Sequence, residues 1–176
     1  PKPPPIIKIL IMGGGLGLLP KSVYFYEAIN RLDNVQTTII TGRNKKLYRK
    51  LHGKYANIEV IGYTDKVHEY MHNADLIISK PGGITLYETI FSELPILAFR
   101  PFLQQEIHNS EFILNNHIGM VLPKKPKECA EEIANLVNDE VKLNQIRNNM
   151  HTLKNQINNI GIADILYYAQ TKGKCA

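Results

Sequence analysis

The run Ser79-Lys80-Pro81-Gly82-Gly83-Ile84-Thr85-Leu86-Tyr87-Glu88 holds the residue types best suited to binding chemistry. It leaves an apolar segment and enters helical spacing. Gly82 and Gly83 can expose backbone N–H groups where the dipole of the following helix is positive, and Thr85 adds a hydroxyl in the first turn. A diphosphate is the natural guest of such a loop. Glu88 lies one turn beyond Thr85 on nearly the same helix face. It is placed to accept hydrogen bonds from two vicinal hydroxyls, as on a ribose. The same residues would equally make a plain turn followed by a solvated glutamate.

Two further loops could carry chemistry. Gly13-Gly14-Gly15-Leu16-Gly17-Leu18-Leu19-Pro20 would let backbone approach a ligand closely before a helix begins. It is not the dinucleotide fingerprint, because Leu18 or Pro20 stands where the last glycine belongs. Thr41-Gly42-Arg43 stands where dinucleotide enzymes place a ribose-binding acid, and no Gly-Lys-Ser/Thr of a P-loop is present. A tight turn needing small residues is the competing reading. The other loop, Pro101 to Asn109, contains Gln104, Gln105 and Glu106. An amide beside a carboxylate offers donors and acceptors to a polyhydroxyl ligand. Ordinary helix N-terminal chemistry would select the same residues.

Other polar residues point less far. His68 and His72 are spaced i, i+4 without an evident third ligand, so no metal is expected. His108 has no evident Ser or Cys nucleophile beside it. Cys129 and Cys175 read as ordinary thiols in a reducing cytoplasm rather than a disulfide framework.

These loops need a scaffold, and the apolar pattern supplies one. Strand-like segments fall at Ile6–Met12, Val35–Thr41, Ile58–Ile61, Asp75–Ser79, Pro95–Phe99 and Met120–Leu122. Helical stretches separate them at Ser22–Leu32, Asn44–His52, Asp65–His72 with Thr64 as N-cap, Ile84–Phe91 and Glu106–Asn115. Two more helices follow, at Pro126–Val137 and Val141–Ile157, then a tail around Ala163–Tyr168. Strands apolar on both faces, alternating with helices, predict a Rossmann-like, doubly wound parallel α/β sheet of about six strands. Ligands of such sheets sit beyond the carboxyl ends of the strands, which is where the three loops fall.

The chain of 176 residues suits one domain: 1–5 as a linker or artificial boundary, 6–157 as the ligand-binding domain and 158–176 as a C-terminal helix or tail. Its 44% hydrophobic and 21% charged residues argue against disorder. No apolar run approaches the ~20 residues needed to span a bilayer. The opening Pro1-Lys2-Pro3-Pro4-Pro5 is neither a signal peptide nor an initiator methionine, so a natural start further upstream is expected. A net charge of +5 suits an anionic partner. The basic runs Lys45, Lys46, Arg49, Lys50 and Lys124, Lys125, Lys127 read as solvated faces, with peripheral contact to an anionic membrane as a second role. Nucleic acid is not expected, since basic and aromatic residues do not interleave.

Taken together, Ile78 to Glu88, Leu94-Pro95-Ile96-Leu97, and Pro101 through Gln105-Glu106 to Asn109 resemble the C-terminal half of lipid-acting GT-B glycosyltransferases. The processive diacylglycerol glucosyltransferases and monogalactosyldiacylglycerol synthases are most similar. The transferase that makes lipid II is more distant. The resemblance runs from Ile6 to about His151.

It implies a UDP-sugar donor, with Gly82, Gly83 and Thr85 at the diphosphate, Gly14, Gly15 and Gly17 lining the cleft opposite, and Arg43 adding charge. Glu88 would hold the ribose, the backbone at Gly62 and Tyr63 would border the uracil, and Gln105, Glu106 and Asn109 would meet the sugar. No cofactor is implied beyond the sugar nucleotide. Leu103-Gln104 departs from the Pro-Gly often found before the Gln-Glu pair, which leaves the sugar open. The implied reaction is inverting hexosyl transfer to a lipid hydroxyl at the cytoplasmic membrane face, with the general base on an N-terminal acceptor domain that this length cannot hold. The fragment alone is then expected to be inactive. A split donor subunit with a membrane-bound partner, and a non-catalytic nucleotide-binding module, are the alternatives.

Overall fold

Ile9, Leu10, Ile11 and Met12 form a central strand because neither face of that strand meets water. Side chains alternate across a strand. Ile9 and Ile11 enter one core with Phe25, Leu51 and Ile133, while Leu10 and Met12 enter another with Met71, Ile90 and Ile113. The structure, a computed structural model, describes residues 3–160. Its strands are β1 (Ile7–Met12), β2 (Val35–Ile40), β3 (Ile58–Ile61), β4 (Leu76–Ser79), β5 (Ile96–Ala98) and β6 (Gly119–Val121). All adjacent pairs are parallel, in the order β3-β2-β1-β4-β5-β6. The expected doubly wound, Rossmann-like sheet is therefore present.

The helices are α1 (Val23–Asn30), α2 (Lys45–Leu51), α3 (Val67–His72), α4 (Gly83–Phe91), α5 (Gln104–Asn115), α6 (Pro126–Val137) and α7 (Glu140–Ile160). α1, α2 and α6 cover one face of the sheet, and α3, α4 and α5 cover the other. α7 serves both. Its Leu143 and Ile146 enter the first core, while Met150, Leu153 and Ile157 enter the second.

Several sequence expectations shift, with α1 ending at Asn30 rather than Leu32 and α5 starting at Gln104 rather than Glu106. α7 runs three residues past the expected end at 157, so residues 158–160 continue a helix of the domain. Thr64 does not cap α3. That helix starts at Val67, and the Thr64 hydroxyl instead accepts from the Lys66 N–H at 3.1 Å, a local turn that delays helix entry. The expected tail around Ala163–Tyr168, and Cys175, lie outside the described residues.

The strand order determines where a ligand can lie. From β1 the chain winds outward through β2 and β3, then returns to place β4 on the other side of β1. The crossovers diverge there, and a crevice opens beyond the carboxyl ends of β1 and β4. The loops after Met12 and Ser79 border it directly.

Candidate functional site

The loop after β1 is folded by its glycines. Gly17 is buried with φ +61°, and a Cβ there would overlap the carbonyl oxygen of Thr41. Only glycine fits such a conformation against backbone. Asn44 holds the same point: its Nδ2 donates to the Gly17 carbonyl at 3.0 Å, while its Oδ1 accepts from Leu47 N–H at 3.0 Å as the N-cap of α2. Gly17 was expected to line the cleft. It turns inward instead, because the loops after β1 and β2 pack against each other through it. Gly14 and Gly15 remain at the surface of the loop, Gly15 with open space before it. The buried Tyr26 hydroxyl, its pKa pushed up by desolvation, donates to Pro20 at 2.6 Å and holds the end of this loop.

Across the crevice, α4 begins at Gly82, whose extended backbone carries no side-chain cap. No acid occupies its first turn. The first intrahelical bond runs from Leu86 N–H to the Gly82 carbonyl, so the amides of Gly83, Ile84 and Thr85 precede the helical ladder. The positive end of the α4 dipole is thus left for an outside anion. Thr85 is half-buried and Glu88 is exposed.

Lys80 joins the two sides. Its Cε lies 3.5 Å from where a Cβ on Gly14 would stand, and its Nζ is 3.7 Å from the Glu106 carboxylate. Lys80 stands in the Ser79–Glu88 run with no role that its spacing assigns. The signal was a lone cation between the end of a buried strand and Pro-Gly-Gly.

The loop after β5 behaves differently from expectation. Glu106 is only 8% exposed. One carboxylate oxygen faces Lys80 and the other accepts from Phe102 N–H at 3.3 Å, bridging back over the start of α5. Asn109 donates to the Pro81 carbonyl at 2.7 Å and ties α5 to the loop before α4. These two residues, expected on the sugar, thus have protein partners. Gln105 is exposed, its amide nitrogen 3.8 Å from a Cβ position on Gly83. The arrangement predicts a split. Glu106→Ala should lower stability by about 1–3 kcal/mol, because a part-buried N–H and a cation lose a charged acceptor. Gln105→Ala should leave the melting temperature unchanged and, if the donor is the UDP-sugar that the resemblance implies, weaken only the extra affinity for it over UDP. Parallel melting curves and calorimetry on the two variants would check this; equal thermal losses would remove the distinction.

On the other side of β1, Arg43 lies with its guanidinium carbon 5.6 Å from the centre of the Tyr63 ring, and its N–H donates to the Gly15 carbonyl at 3.0 Å. Arg43 was expected near the phosphates; its side chain stands at the loop that also holds Gly62, which is half-buried. Along the rim the order is therefore Tyr63, Arg43, Gly14–Gly15, Lys80, the start of α4, then Gln105. Leu16, Leu18, Ile84, Phe102 and Leu103 stand exposed among them.

The remaining candidates do not converge on this rim. His68 and His72 are both exposed, and no cluster of three His, Cys, Asp or Glu able to hold a metal occurs among the described residues. His108 faces Glu111 at 3.6 Å on α5. Cys129 is buried, its Sγ is 2.8 Å from the Pro123 carbonyl, and desolvation pushes its thiol up to about 11, so it is no nucleophile at neutral pH. Among the described residues no helix is long and apolar enough to cross a membrane.

The fold and the sequence both have counterparts among known proteins. Residues 8–163 match the model of the glycosyltransferase family 28 C-terminal domain. The chain is 31% identical over 149 residues to a processive diacylglycerol beta-glucosyltransferase of Bacillus licheniformis, covering 82% of this chain and 39% of that protein. It is 31% identical over 150 residues to the enzyme of the same name from Staphylococcus carnosus, covering 83% and 38%. The chain thus spans about two-fifths of the length of these curated relatives. Among solved structures, the S. aureus MnaA–UDP complex superposes with a TM-score of 0.65 at 16% identity, over 81% of this chain and 40% of that one. At that identity the likeness concerns the fold alone.

Proposed function

Since the chain belongs to glycosyltransferase family 28 through its C-terminal domain, we propose that it is the donor-binding half of an enzyme that moves a hexose from a UDP-sugar to a lipid hydroxyl such as that of diacylglycerol. The observation that carries this reading is the uncapped, acid-free start of α4 at the switch crevice, with Lys80 beside it. That combination suits a group carrying two or more negative charges.

In this reading the amides of Gly83, Ile84 and Thr85, with the Thr85 hydroxyl, receive the diphosphate. Lys80 reaches it from the Gly14 side. Glu88 accepts from the ribose hydroxyls one turn along α4. Tyr63 and Gly62 border the uracil, with Arg43 beside them rather than at the phosphates. Gln105 meets the sugar. Glu106 and Asn109 act through other residues: Glu106 holds Lys80 and the start of α5, and Asn109 holds Pro81.

In the inverting reaction the acceptor oxygen attacks the anomeric carbon from the face opposite the diphosphate. The bond from that carbon to the phosphate oxygen breaks, and UDP leaves with the electron pair. Charge grows on the diphosphate as this happens, so donors already aimed at it favour the transition state over the ground state. The acceptor's proton goes to a base outside this set of residues. The exposed Leu16, Leu18, Ile84, Phe102 and Leu103 suit a rim that an acceptor-bearing half closes over.

The nucleoside end is tested through Glu88. Glu88→Ala should weaken UDP binding by about 1.5–3 kcal/mol, the range for hydrogen bonds to a charged group. Dideoxy-UDP, lacking both ribose hydroxyls, should bind weakly to both forms and change little. Calorimetry on the four combinations decides the point. Equal losses for both nucleotides would place Glu88 outside the ribose site.

A further inference from the structure

The net charge of the chain is concentrated on one flank. Residues 34–58 hold six cations, Arg43, Lys45, Lys46, Arg49, Lys50 and Lys54, and no Asp or Glu. The whole chain has 21 Lys and Arg against 16 Asp and Glu, so everything outside this segment is close to neutral. The structure gathers four of these charges onto one surface. Leu47 and Leu51 face the core and hold α2 against the sheet, while Lys45, Lys46, Arg49 and Lys50 take up the opposite, exposed arc. None of the six forms an ion pair among the described residues, and the acids on adjacent elements, Glu27 of α1 and Glu59 of β3, pair with none of them. The other basic run is different. Lys125 pairs with Glu128 at 3.1 Å, and Glu131 and Glu132 follow on the same helix.

We propose that the exposed face of α2 is a docking surface for an anionic lipid bilayer. α2 begins directly after the carboxyl end of β2, so the patch starts at the rim that holds the candidate site and runs back from it for about 10 Å, the length of seven helical residues. The placement deepens the donor-half reading and rests on it. If the acceptor is a lipid, the rim must face a membrane, and a flank beside the rim that carries the uncompensated cations is the flank an anionic leaflet attracts. A convex helix face with a single sign of charge suits a plane of head groups.

The test uses the chain as it is, with sedimentable vesicles of phosphatidylcholine alone or with about a third phosphatidylglycerol. The wild type should partition onto the anionic vesicles better by about several hundredfold, roughly fivefold for each of the four α2 cations, and the preference should shrink as salt rises. Neutralising Lys45, Lys46, Arg49 and Lys50 together to Gln should reduce partitioning by roughly fivefold per charge removed, and a milder Lys46→Gln, Arg49→Gln pair by about 25-fold. Changing Lys124, Lys125 and Lys127 to Gln should leave it close to wild type. Melting curves establish that each variant is folded, and UDP titration of the same samples separates the two readings. Vesicle binding lost with UDP binding retained supports the surface; absence of UDP binding in every form would strike the donor reading and leave the surface result standing. Equal partitioning onto neutral vesicles, wild-type partitioning by the pair or fourfold variant, or tighter binding of a short DNA duplex than of anionic vesicles at the same salt would each overturn the proposal.

Discussion

Gly17→Ala is expected to destabilise the domain by roughly 3–5 kcal/mol, combining a left-handed backbone for a non-glycine residue with overpacking. The position has φ +61°, and the new methyl group would overlap the Thr41 carbonyl oxygen. Thr41 cannot easily give way. Its N–H donates to the Ile61 carbonyl at 2.9 Å and its hydroxyl to the same oxygen at 3.1 Å. Asn44 grips the other side of Gly17 through its carbonyl, so a shift of the loop would also disturb the cap of α2. Gly15→Ala is the matched control. Gly15 has open space before it and no left-handed backbone, so its stability should change by less than about 1 kcal/mol, as for an ordinary surface substitution. Denaturant unfolding of the two variants measures the difference. A Gly17→Ala loss as small as that of Gly15→Ala would mean the two loops are not locked as described.

Lys80→Ala should weaken UDP binding roughly 30- to 150-fold, the equivalent of about 2–3 kcal/mol for a charge-assisted contact. Uridine, without phosphates, should bind both forms alike. Lys80 sits between the Gly14 side of the crevice and the buried carboxylate of Glu106, which places its charge at the switch point between β1 and β4. A lysine held by a carboxylate keeps its position before the ligand arrives and has less side-chain entropy left to lose on binding. The salt dependence of UDP binding should also flatten in Lys80→Ala, since one cation has left the site. Calorimetry with UDP and uridine at two ionic strengths separates the roles. A similar loss for both ligands would make Lys80 a structural residue of the loop, and an unchanged UDP affinity would remove it from the site.

Much of this protein could be read along the chain. Runs such as Ile9–Met12 and Leu76–Ile78, apolar at every position, predict strands covered on both faces, and the helical spacing between them predicts crossovers. Both patterns are local, because side-chain direction repeats every two residues in a strand and every 3.6 in a helix. The observed elements follow that reading closely, apart from the late start of α3 after Thr64, the early end of α1 at Asn30, the early start of α5 at Gln104 and the continuation of α7 to Ile160. The resemblance carried by Lys80 to Glu88, with Gln105-Glu106 downstream, agrees with the family-28 match.

What spacing could not reveal depended on which loops meet. Glycine is written alike whether it turns toward a ligand or into backbone, and only the packing of Thr41 and Asn44 against Gly17 shows the second. Glu106 has the same sequence neighbours whether it reaches a sugar or Lys80. The pairing with Lys80 exists because β5 lies beside β4 and brings the start of α5 against the loop that follows Ser79. The cations of α2 form one uncompensated flank because Leu47 and Leu51 turn the helix outward, whereas those before α6 meet acids one turn away. The chain's own pattern therefore determined the elements, their order and the identity of the loops beyond the carboxyl ends of the strands. Strand order and packing, which join residues far apart in sequence, decided which side chains in those loops remain free to meet a ligand.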